Sequence, residues 1–425
     1  MKIGITLYSN REIHFLLSPE FLSLINKDNE NEYFIFCDDP MAIEGLFHGA
    51  KHVQIIKYYQ GKRWNRFIYW YVLYPGERFN LLREKSVGDH GFFMQQFRFS
   101  NRFFYILGHL FSSIFKIFPK IVHPLRWLSY RSSYYEKYSL DKCLLTQYHS
   151  FKEQCFAYNN QKASLMFFPN SHDSFTISGS FGIPIDKILS WHTVTSEMMK
   201  SIHNFRKEII INVGNPSHEK IRKSSKMHQV DQKEILIFGS NNFVHNETEM
   251  VEEICKNNYL QNLGIKLRIS PSVGGVGEEW YRRYHSYEKR LGKENLYFPS
   301  KHWMEGKAYD KNNINEEYEQ NILSHRIFIV PGVSNVAYDV MARGGVLILI
   351  FYKSNSNSKG FPWWECENRE VLRHVYDCPG VFICHNAKEI EQALKSNFPN
   401  KEFYSDTPYN QQLKSSKLLF DELTA

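Results

Sequence analysis

The amino-acid sequence predicts an α/β protein of two doubly wound domains, each a parallel sheet with helices on its faces. Short apolar runs of strand type alternate with helical patterns, and this alternation is typical of parallel sheets with crossover helices. The alternation is repeated on both sides of a polar stretch at residues 217–233, which we expect to be the interdomain linker. A length of 425 residues also suits two domains.

The first domain is predicted over residues 1–222. Each of its strands is a short, mostly apolar run, and the helices between them carry mixed polar and apolar residues. The predicted strands are 2–9, 33–37, 53–58, 143–146, 165–168, 187–191 and 208–213, and the predicted helices are 18–26, 151–159 and 196–203.

The second domain is predicted over residues 223–407, where the alternation is cleaner. Its predicted strands are 235–238, 265–269, 295–298, 327–330, 346–351 and 381–384, and its predicted helices are 245–258, 278–291, 314–323, 336–343 and 388–394. The paired glycines Gly344 and Gly345 are typical of a helix end. Residues 408–425 are expected to form a last helix that packs back toward the first domain.

Composition excludes several classes of protein. The chain is 43% hydrophobic and 23% charged, which is typical of a globular protein and not of a disordered or coiled-coil one. Its seven cysteines include no CxxC pair, so a zinc ribbon and a thioredoxin motif are excluded. We find no secretory signal and no apolar run of about 18 residues that could span a bilayer. A cytoplasmic protein with reduced thiols is therefore expected.

Residues 64–138 interrupt the alternation and are crowded with aromatic and basic residues. They hold 22 of the 67 aromatic residues and carry a net charge of +7, equal to that of the whole chain. Three interpretations are open for this insertion in the first domain, which we expect to be helical. Its aromatic residues pack into the core, or they lie on an anionic membrane beside arginine and lysine, or, least favoured, they stack on nucleic acid.

The segment 327–350 carries the strongest functional signal. A strand ends at Pro331-Gly332, small polar residues follow, and a helix begins. The unpaired amides and positive dipole of a helix start suit a phosphate, and Ser334 and Asn335 add side-chain donors. Asp339, about one turn later, is expected to accept hydrogen bonds from the two hydroxyls of a ribose. The alternative is that Ser334 only caps the helix and Asp339 only complements its dipole.

This segment resembles the donor-nucleotide motif of GT-B glycosyltransferases. There a glycine/serine turn holds the donor phosphates, an acidic residue on the next helix binds the ribose, and a small-residue pair precedes the next strand. The acidic residue is more often glutamate, so Asp339 is a departure with a shorter reach. Residues 172–216 resemble, in order and spacing, a segment of bacterial surface-polysaccharide glycosyltransferases. The resemblance implies two Rossmann-like domains facing a cleft.

Loops after the first strands of the second domain complete the predicted donor site, because ligands of such sheets bind beyond the carboxyl ends of strands. The residues of these loops in the predicted site are Gly239, Ser240, Asn241, Arg268 and Ser270. Segment 239–242 lacks the lysine of a Walker loop. Arg268 offers positive charge to a pyrophosphate, and its alternative is a solvent-facing strand residue. Ser270 stands where some CMP-sugar transferases of this plan carry histidine, which disfavours a CMP donor.

Inverting transfer requires a base from the first domain near the acceptor hydroxyl. Asp173 is the first candidate, its neighbour His172 the second, and His14 with Glu12, after the first strand, the third. Retaining transfer would need no such base, and each residue has the alternative of a cap or turn former.

The resemblance implies a glycosyltransferase that moves a sugar from a nucleotide-sugar donor to a cell-surface glycan or lipid-linked acceptor. A helix dipole and backbone amides would replace a metal at the diphosphate, so no metal, other cofactor or nucleic acid is expected. The 64–138 insertion would place the enzyme at the inner face of the membrane. The alternatives are a nucleotide-sugar 2-epimerase, a polyol-phosphate polymer transferase and a degenerate GT-B module that binds glycan or a partner.

Overall fold

In the computed structural model, the chain divides into two units. Unit 1 comprises Met1–Glu219 and Gln412–Ala425, and unit 2 comprises Lys220–Gln411. The structure describes residues 1–7, 16–47, 49–77, 79, 102–147, 150–169, 183–203, 205–227, 234–239, 247–268, 278–297, 311–332, 334–353, 367, 373–397 and 414–425.

Unit 1 is built on a seven-stranded sheet in the order β3-β2-β1-β4-β5-β6-β7, and every neighbouring pair is parallel. The central strand β1 places Ile5 opposite Ile35 on one side and Leu144 on the other. The strands are β1 Lys2–Leu7, β2 Glu32–Cys37, β3 Val53–Lys57, β4 Lys142–Leu145, β5 Ser164–Phe167, β6 Lys187–Ser190 and β7 Ile210–Asn212.

Helices connect these strands and cover the sheet. The Ser18 hydroxyl accepts the Phe21 amide at 3.2 Å and Pro19 opens the first helix, which is why that helix begins there. The helices are α1 Pro19–Lys27, α2 Met41–Glu44, α3 Arg63–Ile68, α4 Arg102–Ile117, α5 Val122–Tyr130, α6 Phe151–Asn159, α7 Thr193–His203, α8 Pro216–Met227 (which runs on into unit 2) and the C-terminal α16 Ser415–Thr424.

The two faces of this sheet bury two hydrophobic clusters, and the period of two along each strand divides the side chains between them. On β2, Phe34 and Phe36 enter one cluster, while Tyr33 and Ile35 enter the other. The second cluster also buries Leu419 and Leu423 of α16, so the C-terminal helix packs within unit 1.

Unit 2 is built on a six-stranded parallel sheet in the order β10-β9-β8-β11-β12-β13. Its strands are β8 Ile235–Phe238, β9 Ile265–Arg268, β10 Leu296–Tyr297, β11 Ile327–Pro331, β12 Val346–Ile350 and β13 Val381–Cys384. Its helices are α9 Glu247–Lys256, α10 Asn258–Leu263, α11 Glu278–Leu291, α12 Lys311–Ser324, α13 Asn335–Arg343, α14 Arg373–Tyr376 and α15 Ala387–Asn397. Two doubly wound parallel sheets confirm the predicted fold class.

The boundary between the two units falls within the predicted linker at 217–233, between Glu219 and Lys220, but α8 occupies 217–227 and its beginning is buried. Ser217, His218 and Glu219 are each at most 5% exposed. The Glu219 carboxylate accepts the Ser416 amide at 2.9 Å, so it ties α8 to the C-terminal helix. The polar residues at the start of this segment are therefore buried in a helix of unit 1.

The insertion at 64–138 is divided between core and surface. Tyr69, Phe115, Tyr130 and Tyr135 are buried in the cluster that also contains Phe36. Other aromatic side chains of the same helices are exposed and are described below.

Among the described residues, no single helix is long and apolar enough to cross a membrane. One pair of helices, Arg102–Ile117 and Pro119–Tyr130, has the length and composition together but is bent by 110° at its break. The cysteines that the structure describes are free thiols: Cys37, Cys143, Cys155, Cys255, Cys378 and Cys384.

Candidate functional site

The order of strands in unit 2 defines where a ligand can bind. Strand β8 is flanked by β9 on one side and β11 on the other, so the direction of winding reverses between β8 and β11. Ligands of open parallel sheets bind beyond the carboxyl ends of the strands at this switch point. Arg268 ends β9, Gly239 follows β8, and Gly332 follows β11. The structure therefore brings these three predicted donor residues to one edge of the sheet.

The amides of the two glycines are already hydrogen-bonded within the sheet edge. Gly239 donates to the Arg268 carbonyl at 2.7 Å, and Gly332 donates to the Ile350 carbonyl at 2.9 Å. Gly332 has φ of +63°, a backbone conformation that L side chains rarely adopt, so glycine is needed there to turn the chain into the next helix. These two amides are therefore not available to bind an anion at this edge.

Helix α13 begins at Asn335, directly after this turn. Ser334 occupies the position before the helix and is exposed, but its hydroxyl makes no capping hydrogen bond to the helix. Ser334 therefore stands at the N-cap position, as the alternative predicts, but without a side-chain capping hydrogen bond. The first amides of the helix and the positive end of its dipole are oriented toward the carboxyl edge of β11. This is the arrangement by which proteins bind phosphate groups.

The other end of α13 is fixed by the two glycines that the sequence singled out. Gly344 adopts φ of +77° and donates to Met341, and Gly345 donates to Val340, which together form a Schellman motif. A Cβ at Gly345 would lie 2.5 Å from the Phe328 ring on β11. The helix end can approach the strand this closely only with glycine there, which fixes the helix against the sheet.

Asp339 lies in the second turn of α13 and is 2% exposed. Its Oδ2 accepts a hydrogen bond from the Tyr318 hydroxyl on α12 at 2.6 Å. Burial, followed by the neighbouring Asp339 carboxylate, raises the pKa of Tyr318 well above its usual value, so the phenol stays a donor. Because Asp339 is not in the first turn, it does not serve as a partner of the helix dipole. Its role toward a ribose stays a prediction.

Arg268 contacts the ring of the same Tyr318 that donates to Asp339. Its guanidinium carbon lies 5.0 Å from the ring centroid, within the range of a cation–π contact. Phe238, the last residue of β8, packs on the same ring at 5.9 Å. Arg268 is 6% exposed, so the alternative of a solvent-facing strand residue is wrong. A buried cation, a phenol and a carboxylate thus stand together beside the switch point.

Unit 1 carries a second polar cluster at the carboxyl ends of β1 and β4, the strands of its own switch point. The Glu153 carboxylate, 1% exposed, accepts the Thr146 amide and hydroxyl at 3.0 Å and the Gln147 amide at 2.8 Å. The Thr6 carbonyl also lies 3.0 Å from the Thr146 hydroxyl, so the carbonyl and the Glu153 carboxylate share its single proton. Glu153 therefore holds the start of the β4–α6 loop rigid at this edge.

Sequence reasoning missed both Glu153 and Tyr318. The pattern Ser150-x-x-Glu153 was a usable signal, because the Ser150 hydroxyl accepts the Glu153 amide at the start of α6. Tyr318 gave no signal of its own, since it lies in a polar helix 21 residues before the aspartate that it contacts.

The remaining predicted site residues lie outside the residues that the structure describes. These are the candidate bases Asp173, His172, His14 and Glu12 and the donor residues Ser240, Asn241 and Ser270. In the sequence, Glu12 and His14 follow β1, and His172 and Asp173 follow β5. Within the described part of the chain, no group of three histidine, cysteine or acidic side chains could hold a metal ion.

No family model matches the chain, and no curated protein matches it by sequence. Solved structures do match its fold. UDP-GlcNAc 2-epimerase from Methanocaldococcus jannaschii superposes with a TM-score of 0.54 at 10% identity and covers 100% of both chains. UDP-GlcNAc 2-epimerase from Neisseria meningitidis, bound to UDP-GlcNAc, superposes with a TM-score of 0.53 at 10% identity and covers 100% of both chains. The S. aureus MnaA–UDP structure superposes with a TM-score of 0.51 at 9% identity, covering 98% of this chain and 94% of that chain. These likenesses establish a GT-B-like fold of two Rossmann-like units.

Proposed function

We propose that the protein is a metal-independent glycosyltransferase that moves a sugar from a nucleotide-sugar donor to a cell-surface glycan or lipid-linked acceptor. The observation that carries the proposal is the carboxyl edge of unit 2, where the start of α13 and the buried Arg268 converge at the switch point. That the similar structures include complexes with UDP and with UDP-GlcNAc supports a nucleotide-sugar donor.

The donor diphosphate would lie against the first turn of α13, with Ser334 and Asn335 adding side-chain donors. Arg268 would balance its charge from the neighbouring strand. Helix dipole, backbone amides and one guanidinium stabilise the leaving diphosphate as the bond to the sugar breaks, which is the role a metal has in other transferases. Asp339, held by Tyr318, is the proposed acceptor of the ribose hydroxyls.

In an inverting reaction, a base from unit 1 takes the proton of the acceptor hydroxyl while its oxygen attacks the anomeric carbon. The bond from that carbon to the diphosphate breaks, and the nucleoside diphosphate leaves. Asp173 is the proposed base, ahead of His172, His14 and Glu12. In the sequence, two of these four residues follow β1 and two follow β5.

A 2-epimerase is the second candidate, because the three structures compared above are all described as such or share that fold. The surface of unit 1 favours the transferase. An epimerase acts on a small soluble nucleotide sugar, whereas exposed aromatic residues on the helical insertion suit an enzyme whose acceptor is lipid-linked.

A thermal-shift and calorimetric screen against UDP, GDP, CMP, CDP and dTDP tests the donor site. We expect at least one nucleoside diphosphate to bind. Replacing Arg268 by Lys should then weaken binding roughly 10- to 100-fold, the cost of about 1.5–3 kcal/mol for a charged hydrogen bond. Arg290→Lys is the matched control, since Arg290 lies on α11 and pairs with Glu252 of α9. Absence of binding by all five nucleotides would contradict the proposal.

Incubation with the donor and no acceptor separates the two enzyme classes. An epimerase converts UDP-GlcNAc to its C2 epimer and leaves the nucleotide sugar intact. A transferase leaves the configuration at C2 unchanged and releases UDP by slow hydrolysis, or rapidly once acceptor is added. Formation of the C2 epimer at a turnover rate would overturn the transferase in favour of the epimerase.

A further inference from the structure

Helix α4 of the insertion presents its apolar side to solvent. Phe103, Ile106, Leu110 and Ile117 lie on one face of the helix and are 51–68% exposed. Their spacing of three, four and seven residues is that of a single helical stripe. In a helix on an ordinary protein surface this stripe would be polar.

The opposite face of α4 is already packed, so the exposed stripe is not a core face that lacks its partner. A Cβ at Gly108 would lie 2.4 Å from the Phe79 ring, and a Cβ at Gly76 would lie 2.3 Å from the Phe115 ring. Glycine allows the helix and the preceding segment to approach this closely. The helix is thus fixed in unit 1 with an apolar stripe facing outward.

The exposed stripe continues onto α3 through a row of aromatic rings. Trp64 stacks on Phe67 at 5.4 Å, Phe67 contacts Tyr71 at 4.9 Å, and Tyr71 contacts Phe103 of α4 at 6.3 Å. Trp64 is 67% exposed. We call the surface formed by Trp64, Phe67, Phe103, Ile106, Leu110 and Ile117 the aromatic face.

Exposed cations lie on these helices and on the segments that flank them in the insertion. Those of the described residues between 62 and 138 are Lys62, Arg63, Arg66, Arg102, Lys116, Lys120, Arg131 and Lys137. The acids of the same described stretch are Glu136 and Glu77, and Glu77 accepts from Arg126 at 2.8 Å. Arg131 also lies 5.3 Å from the ring centroid of the exposed Trp127. The aromatic face is therefore set in strongly positive surroundings.

We propose that the aromatic face docks unit 1 onto an anionic lipid bilayer. Tryptophan and phenylalanine are suited to the boundary between head groups and acyl chains, and arginine and lysine beside them attract anionic head groups. Charge complementarity favours an anionic bilayer, because a second copy of the chain would bring the same excess of cations against the cations around the aromatic face. The proposal is independent of the reaction proposed above, since docking requires no nucleotide sugar.

Flotation with vesicles tests it, using phosphatidylcholine alone and phosphatidylcholine with 25% phosphatidylglycerol, without nucleotide. We expect the full chain to float with the anionic vesicles at low salt, to bind neutral vesicles weakly, and to be released as salt screens the attraction. Brominated lipids should quench the tryptophan fluorescence, and Trp64→Phe with Trp127→Phe should remove part of that quenching.

Two sets of variants locate the surface. Arg102→Gln, Lys116→Gln and Lys120→Gln together should lower the partition coefficient on the order of a hundredfold, since each basic residue near the surface contributes roughly fivefold. Lys27→Gln, Lys51→Gln and Lys162→Gln change the net charge equally at exposed sites outside these helices and should have a much smaller effect. Ile106→Ser with Leu110→Ser should weaken binding and abolish the lipid quenching, while the exposed Met41→Ser should do neither.

Several results would overturn the proposal. Wild-type protein that ignores anionic vesicles at low salt excludes the bilayer as the occupant. Equal falls in the partition coefficient in the insertion set and in the control lysine set would show an effect of net charge and not a docking surface. Sedimentation as a concentration-dependent dimer that dissociates in Ile106→Ser with Leu110→Ser would assign the face to a second copy, and binding to single-stranded RNA without lipid binding would assign it to nucleic acid. Nucleotide binding, measured separately, is unaffected by any of these outcomes.

Discussion

Replacing Tyr318 by phenylalanine removes one hydroxyl from the candidate site and leaves its ring. The lost group donates to Asp339 at 2.6 Å, while the contacts of the ring with Arg268 at 5.0 Å and Phe238 at 5.9 Å are retained. The variant therefore isolates the hydrogen bond from the packing. A hydrogen bond to a charged partner contributes about 1.5–3 kcal/mol.

We expect Tyr318→Phe to lower the free energy of unfolding of unit 2 by about 2 kcal/mol. In a domain of this size each kcal/mol shifts the melting temperature by roughly 2–4 °C, so a fall of roughly 4–8 °C is expected. Because the pKa of Tyr318 is raised in the folded state, its contribution is complete below about pH 10, the usual pKa of tyrosine, and declines above it. The wild type should thus lose its advantage over the variant in strong alkali.

Differential scanning calorimetry of wild type, Tyr318→Phe, Asp339→Asn and the double variant measures the effect. Tyr318→Phe removes the donor of this hydrogen bond and Asp339→Asn replaces its charged acceptor by a neutral one, so the double variant should be less destabilised than the sum of the single ones. Tyr318→Ala also removes the ring beneath Arg268 and should reduce nucleotide affinity more than Tyr318→Phe does. Unchanged melting of Tyr318→Phe, or strict additivity with Asp339→Asn, would refute the coupling of α12 to α13 through this bond.

Three further predictions concern the helix end, the base and a surface histidine. Gly345→Ala should destabilise unit 2 by about 1–3 kcal/mol in urea titrations, because the added methyl meets the Phe328 ring at 2.5 Å; wild-type stability would show that the helix end can move. Asp173→Asn should keep nucleotide binding in calorimetry but lower turnover by ~10²–10⁴-fold, and near-normal turnover would pass the role to another base or indicate a retaining reaction. Burial lowers the pKa of His385, but hydrogen bonds to two glutamates outweigh burial, so the pKa is raised. The contribution of His385 to stability is therefore complete below about pH 6.5 and is lost as the pH rises through the folded pKa. The free energy of unfolding, measured by denaturation at pH 6 and pH 8, should fall less between these pH values in Glu389→Gln than in wild type. An equal fall would exclude His385 as the cause.

The parallel sheets could be predicted because their strands are nearly pure apolar runs. Val346–Ile350 is buried at every position, and such a run has few alternatives. Strand ends were less accurate, because hydrogen bonding sets them and not hydrophobicity. The run predicted as a strand at 208–213 contains a 3-10 turn at Lys207–Ile209 before the short strand Ile210–Asn212.

Burial of polar and aromatic residues could not be predicted, because it depends on partners distant in sequence. Glu219 is buried through a residue of the C-terminal helix, 197 positions away. Adjacent residues of the insertion also differ, since Tyr69 is 2% exposed and Trp70 is 43% exposed. Composition gave the number of aromatic rings there, but only the packing of the helices divides them between core and surface. The candidate site shows the same limit, as the glycine turn was visible and Tyr318 was not.

Hydrogen–deuterium exchange of the full chain, with and without the tightest-binding nucleoside diphosphate, shows where the donor binds. We expect the nucleotide to slow exchange in peptides covering 327–343, where α13 begins, and in those covering 235–239 and 265–268. Peptides of α9 and α15, in the same unit, should exchange unchanged and serve as the internal control. Protection confined to unit 1, or protection in unit 2 that leaves 327–343 unchanged, would contradict the claim that this edge binds the donor.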